Sequence, residues 1–231
     1  MKAYLIGDKK NQASVRAANR CAKSIKDTNS DIELLFFQQT SPKTLEKDIA
    51  PFPGLAWNYP LNTATRVDEK TGMKLQGYRT NSLAKVLSCL ISHARLWLRC
   101  YQTKQELMIL EHDALFTRQY KEPSVWSGGI LGLNDPRGAT FNSALYHQKV
   151  SAVEGISEIP WVDDEKARPQ GLAGNSAYII RPFAAKALLE KMKEVGGWPN
   201  DALMCKQHFD FIKVVYPYYT TVQGLKSTTT Y

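Results

Sequence analysis

The chain opens with a short apolar run, Ala3-Tyr4-Leu5-Ile6, that breaks at Gly7-Asp8 into a polar stretch ending near Gln12. An apolar block this short, closed by glycine, predicts a buried strand. From Ser14 to Ile25 the period changes, and Val15, Ala18, Cys21, Ala22 and Ile25 fall on one side of a helix. Ile32-Glu33-Leu34-Leu35-Phe36-Phe37 predicts the next strand. A β-α-β opening is the seed of a parallel sheet. The first turn lacks G-x-G-x-x-G, which argues against a dinucleotide fold of the usual kind.

Ser41-Pro42 can start a helix over 43–49. Residues 51–77 hold three prolines and three glycines with no clean period, which predicts a long irregular segment lying over the sheet. Asn81 or Ser82 can cap a helix running to Lys104, with Leu83, Val86, Leu87, Leu90, Ala94 and Trp97 on its apolar face. Strands are expected at Met108–Leu110, within Gly129–Leu133, at Ala177–Ile180 and at Ile212–Tyr216. Residues 134–170 read as mixed. Pro182 suits the first turn of a helix that continues from Phe183 to Val195. A short helix is expected over Asp201–His208, and Ser227–Thr230 reads as a loose tail. The whole is expected to be one α/β domain over 1–231, with an insertion at about 50–80.

Composition narrows the class. Apolar residues make up 43% and charged residues 23%, which is ordinary for a globular domain. The formal charge of +8 favours anionic partners: nucleotide phosphates, nucleic acid or acidic surfaces. Cys21, Cys89, Cys100 and Cys205 show no C-x-x-C spacing, so zinc-ribbon and thioredoxin-like readings are disfavoured and free thiols are expected. No apolar run reaches the ~18 residues of a membrane helix, and a soluble, cytoplasmic protein is expected.

The chemistry concentrates where an apolar run ends in Glu111-His112-Asp113. On a continuous strand Glu111 and Asp113 share a face and His112 takes the other. Two adjacent carboxylates repel unless a cation lies between them. Mg²⁺ and Mn²⁺ prefer oxygen ligands and are often held by one or two carboxylates plus substrate phosphates. A metal–diphosphate site is one reading; a strand end entering a polar loop is the other.

Several blocks then fall into a recognisable order. Ser88-Cys89-Leu90-Ile91-Ser92-His93-Ala94-Arg95-Leu96-Trp97, Ile109-Leu110-Glu111-His112-Asp113-Ala114, Gly174-Asn175-Ser176-Ala177-Tyr178-Ile179-Ile180 with Ala184-Ala185-Lys186-Ala187-Leu188-Leu189, and Pro199-Asn200-Asp201 together resemble glycosyltransferase family 25, as does the closing stretch from Val214-Val215-Tyr216-Pro217 to Gln223 and Ser227-Thr228. The family contains lipooligosaccharide and collagen galactosyltransferases. The match is good over about 80–231 and loose over 1–40. His112 stands where the family's E-D-D has its middle acid, Ser88 replaces a glycine, the usual N-L-x-R opening is missing, and 50–79 match nothing.

The resemblance implies a GT-A type fold, a Rossmann-like sandwich around a mostly parallel sheet, with a nucleotide-sugar donor over the C-terminal strand ends. It implies that Glu111 and Asp113 hold Mn²⁺ or Mg²⁺ against the diphosphate. In an inverting enzyme a carboxylate takes the acceptor hydroxyl proton; Asp201 is the candidate, with Asp163 and Asp164 in reserve. Asp201 equally suits a helix cap. His93 reads as a donor contact or a satisfied helix histidine. Cys89 and Trp97 read as core. His208 is a candidate third metal ligand. Lys9, Lys10 and Arg16 lie beside the first strand's end, where phosphates approach, or are solvated surface charges. The acceptor is a surface glycan or a hydroxymethylated base in DNA. For DNA, Lys70, Lys74 and Arg79 would contact phosphates. A non-catalytic nucleic-acid- or anion-binding protein on the same fold is the competing class.

Overall fold

Alternation along the strands sets up two cores, one on each face of a central sheet. The computed structural model describes residues 1–123, 126–138, 142–162 and 167–225. Asp163, Asp164 and the tail Ser227–Thr230 lie outside the described residues. The strands are β1 (Lys2–Gly7), β2 (Glu33–Gln38), β3 (Thr65–Val67), β4 (Lys74–Gln76), β5 (Leu107–Glu111), β6 (Ala114–Phe116), β7 (Ile130–Gly132), β8 (Gly155–Glu158), β9 (Ala177–Ile180), β10 (Ile212–Tyr216) and β11 (Thr220–Val222). The helices are α1 (Gln12–Asp27), α2 (Leu45–Ile49), α3 (Leu83–Thr103), α4 (Ser143–Ser151), α5 (Pro182–Val195) and α6 (Asn200–Leu203).

Among the described residues seven strands form the main sheet, in the order β2-β1-β5-β9-β7-β10-β8. β2, β1 and β5 pair in parallel, as do β7 and β10. β9 runs against both β5 and β7, and β8 against β10. Five strands therefore point one way and two the other, the expected mostly parallel α/β arrangement. Ala3 and Leu5 of β1, Met108 and Leu110 of β5, and Ala177 and Ile179 of β9 pack in one core with Ala18, Cys21 and Ile25 of α1. Their alternates, Tyr4 and Ile6, Leu107 and Ile109, Tyr178 and Ile180, pack with α3 and α5 in the other. A period of two on the strands matched to helical stripes above and below makes the sandwich.

The helix ends follow side-chain chemistry. Asn11 caps α1 by accepting from the backbone N–H of Ala13 and Ser14, and Ser82 caps α3 by accepting from Lys85. Lys104 closes α3 with a left-handed φ of 56°.

Three expectations need correction, and the mixed segment is filled in. The segment 51–77 is not wholly irregular, because β3 and β4 pair as an antiparallel hairpin. Asp68 sets its turn by accepting from Thr71, and Gly72 supplies the positive φ of 70°. Residues 134–170 contain α4 and β8, the latter an edge strand with little apolar signal of its own. The helix expected over 201–208 stops at Leu203, because Leu172 N–H donates to the Met204 carbonyl and Lys206 N–H to that of Gln170. Finally, the strand ends at Glu111; His112 and Asp113 form a turn, and the chain leaves the main sheet as β6 to pair with β11.

Candidate active site at the sheet edge

β1, β5, β7 and β10 all end on one edge of the sheet, and β9 begins there. Glu111 is the last residue of β5, opposite Ile6 of β1. Its N–H donates to the Ser176 carbonyl at 2.7 Å, which ties it to the start of β9. Asp113 follows in the turn. Strand alternation does not bring the two acids together; the turn does. Burial, and then the nearby Glu111 charge, push the Asp113 carboxyl up to about 7. Its Oδ1 is buried with no hydrogen-bond partner among the described residues.

Gln223 fixes this turn. Its N–H donates to the Asp113 carbonyl at 3.0 Å, and its side-chain amide donates to the carbonyls of Ala17, His112 and Ala114 at 3.0, 3.4 and 3.4 Å. Arg20 Nε donates to Gln223 Oε1 at 2.6 Å. The acidic turn is thus clamped between α1 and the strand following β10. His112 sits in the same turn, where burial lowers its pKa against the opposing pull of Glu111.

A buried relay orients Glu111. Trp97 Nε1 donates to Tyr178 Oη at 2.8 Å, Tyr178 Oη lies 2.9 Å from His93 Nδ1, and His93 Nε2 lies 3.2 Å from Glu111 Oε1. Donor and acceptor counting assigns the protons. The indole is donor-only, so the Tyr178 hydroxyl finds its acceptor at His93 Nδ1. His93 Nε2 then carries the proton and donates it to Glu111. The ring is 1% exposed and stacks on Tyr178, with centroids 5.8 Å apart. His93 accordingly has a defined partner at each nitrogen and positions the acid. The i, i+4 spacing on α3 also puts Cys89 beside this pair, half-buried rather than core. Cys89 Sγ, the His93 nitrogen and a Glu111 oxygen all lie within 4.8 Å of one another.

Asp201 belongs to α6, whose Asn200 reaches Cys89 of α3. It lies in the first turn of α6, whose cap position is Pro199, so Asp201 is not the cap. Its Oδ1 accepts from Ala202 N–H at 2.9 Å. The residue keeps solvent access, yet surrounding protein raises its carboxyl pKa, and the Glu111 charge adds to the rise. Burial raises the Cys89 thiol, and Glu111 and Asp201 both reinforce that. Asn200 Nδ2 reaches Cys89 Sγ at 3.9 Å. Glu111, Asp113, Cys89 and Asp201 therefore share one electrostatic neighbourhood. Gly171 lets α6 come this close: a Cβ there would lie 1.9 Å from the Asp201 carbonyl oxygen.

These residues fit a divalent cation. Burial and then the Glu111 charge raise Asp113, and Asp113 Oδ1, Ser176 Oγ and Asn200 Oδ1 are all buried without hydrogen-bond partners among the described residues.

The other candidates are more dispersed. Lys9 and Lys10 follow β1 on the same edge and are exposed, with Lys9 Nζ 5.1 Å from the Phe36 ring centre. Arg16 is exposed on α1. His208 is not assembled with the acidic turn: its Nδ1 lies 3.0 Å from the Leu203 carbonyl, its ring is 5.3 Å from Trp198, and its charged neighbours are Lys191, Glu194 and Asp68. Lys70 donates to the Glu194 carbonyl near the C-terminus of α5, Lys74 is exposed on β4, and Arg79 is exposed ahead of α3. The roles of Tyr178, Asn200, Ser176 and Gln223 escaped sequence reasoning, because each acts through distant partners that leave no local pattern.

Residues 14–125 match the family described as glycosyltransferase family 25 (LPS biosynthesis protein). No curated protein matches. Similar solved structures include the apo form of the glycosyltransferase GlyE of Streptococcus pneumoniae TIGR4, at 10% identity and a TM-score of 0.42 over 96% of this chain. This chain spans 44% of the GlyE chain. Another is apo mouse xyloside xylosyltransferase 1, at 8% identity and a TM-score of 0.45, covering 88% of this chain and 80% of that one.

Proposed function

We propose that this chain, which over residues 14–125 matches glycosyltransferase family 25, moves a sugar from a nucleotide-sugar donor to a hydroxyl of a macromolecular acceptor. The observation that carries the reading is that Glu111, at the end of the parallel strand β5, acts electrostatically on both Asp113 in the turn that follows and Asp201 of α6. Open α/β sheets bind ligands outside those strand ends. Glu111 and Asp113 are the residues that would hold Mn²⁺ or Mg²⁺, which when bound offsets the charge of the departing nucleoside diphosphate. Lys9, Lys10 and Arg16 stand where the donor phosphates approach. His93 keeps Glu111 aimed. Asp201 takes the proton of the attacking acceptor hydroxyl; its raised pKa brings it nearer the working range of a general base.

A surface glycan such as lipopolysaccharide is the acceptor we favour, in keeping with the family's description as LPS biosynthesis proteins. Lys70, one of the three cations a duplex would need, is engaged with the Glu194 carbonyl. The net charge of +8 keeps a hydroxymethylated base in DNA as the second reading.

The test is a screen of nucleotide sugars with Mn²⁺, reading nucleoside diphosphate release with oligosaccharide or modified DNA present. Release that needs the metal, and that Asp113→Asn abolishes while the fold survives, is the expected result. Full activity in EDTA, or near-normal turnover by Asp113→Asn, removes the metal reading. Failure of every donor to bind leaves the non-catalytic class standing.

A further inference from the structure

The residues flanking Glu111 make a second ligand set on its other side. We propose that Cys89, His93 and Glu111 form a binding site for a soft or borderline divalent ion, Zn²⁺ in the first place, which blocks transfer by taking Glu111 away from the donor site. The inference rests on the reading of Glu111 as a donor-side ligand only for that last consequence; the site itself stands on geometry. Cys89 and His93 are one turn apart on α3, so a single rigid element presents a sulfur and a nitrogen side by side. Glu111 meets them from the end of β5, and the three ligand atoms lie within 4.8 Å of one another. Zn²⁺ is bound at about 2.0–2.3 Å by thiolate, imidazole and carboxylate, so one ion reaches all three with side-chain adjustments alone. The donor set also selects the metal. Thiolate and imidazole suit Zn²⁺, whereas Mn²⁺ and Mg²⁺ favour the all-oxygen pair Glu111 and Asp113. Cys89 is half-buried and Glu111 is 31% exposed at its side chain, so the ion has a way in.

The proton balance is simple. Cys89 gives up its thiol proton to solvent and binds as thiolate. On His93 the proton shifts from Nε2 to Nδ1, freeing Nε2 for the ion; Nδ1–H then donates to Tyr178 Oη, and the Tyr178 hydroxyl proton gives up its acceptor at Nδ1, a lost hydrogen bond that the bonds to zinc offset. A ligating histidine held through its other nitrogen is the usual support of a zinc site. The ion replaces the His93–Glu111 hydrogen bond, so free and zinc-bound forms exclude each other at Glu111.

The experiment uses the full chain, stripped of metal, with no nucleotide sugar. Titration with Co²⁺ should produce a thiolate-to-cobalt charge-transfer band in the near ultraviolet, saturating at one equivalent, and Zn²⁺ should bleach it. Cys89→Ser and Cys89→Ala should lose the band and weaken Zn²⁺ binding on the order of 100-fold or more, since even supporting residues are worth 10–100-fold. Asp113→Asn should keep the band, which separates this site from the oxygen pair. Cobalt binding without the band, or a band unchanged in both Cys89 variants, overturns the proposal. Because no donor is used, this result is independent of whether the transferase reading survives. With an active donor, Zn²⁺ should inhibit the native chain and spare Cys89→Ser.

Discussion

Asp113 is the residue whose ionisation most affects the site. Its carboxyl ordinarily titrates near 3.8 and is raised to about 7 here. Between those values the metal-free folded chain binds more protons than the unfolded one. The Asp113 contribution therefore favours folding at low pH and is lost as pH rises through about 7. A cation competes with the proton for this carboxylate, so Mn²⁺ affinity should fall about tenfold per pH unit below about 7, and Asp113→Asn should remove that slope; calorimetric titration across the range reads both. Tyr178→Phe tests the relay. It keeps the ring but strands Trp97 Nε1 and His93 Nδ1, costing about 1–3 kcal/mol. It also frees the His93 tautomer, so Mn²⁺ affinity should drop roughly tenfold or more. Thermal unfolding and metal titration together separate the two effects, and unchanged metal affinity would reduce the relay to packing. The sequence made the acids visible through their position after an apolar run, and His93 only through the resemblance of its helix to the family's motif. It hid Tyr178, whose hydroxyl matters only because an antiparallel strand sets Tyr178 opposite Ile109 and under α3.

At the level of elements, the strongest periodicities were the most legible. α1, α3 and α5 and strands β1, β5, β9 and β10 came from apolar stripes and caps that tertiary packing reinforces. The hairpin β3–β4 was illegible because only Leu75 of its six strand residues is buried, leaving no alternation to read. α6 was overextended because nothing in 201–208 signals that residues 204–206 pair with the strand-like stretch at 170–172. That pairing positions Asp201. Gly171→Ala should force α6 away, since its Cβ would sit 1.9 Å from the Asp201 carbonyl oxygen. Overpacking of this kind costs about 1–3 kcal/mol, and a 1 Å misplacement of a reacting group can cost on the order of 10²-fold in rate. Steady-state kinetics should show the loss in kcat with donor affinity retained. A loss confined to donor affinity would place Asp201 on the donor side instead. The insertion supports the same corner: Gly197 N–H donates to the Ala56 carbonyl and Asn58 N–H to that of Gly197, beside the buried Trp198 that leads into α6.

For the molecule as a whole, the charge of +8 bears on the choice of acceptor. A duplex-binding enzyme loses affinity steeply with salt, at a log–log slope of about −0.9 for each neutralised phosphate. A glycan enzyme recognises hydroxyls and ring faces and shows no such slope. We expect weak duplex binding that Lys74→Glu with Arg79→Glu leaves unchanged, along with unaltered nucleoside diphosphate release. A steep slope that flattens in that double variant would favour DNA. The clamp on the acidic turn has a consequence for how the protein is made. Gln223 joins Asp113 to the Ala17 carbonyl, 206 positions away along the chain. During translation the β-α-β opening and β5 emerge early and can begin to collapse, but the acidic turn stays unfastened until residue 223 has been added and has left the ribosome. A nascent chain stopped short of Gln223 would then carry most of the fold and an unfastened acidic turn, so chemistry would wait on the arrival of that one residue.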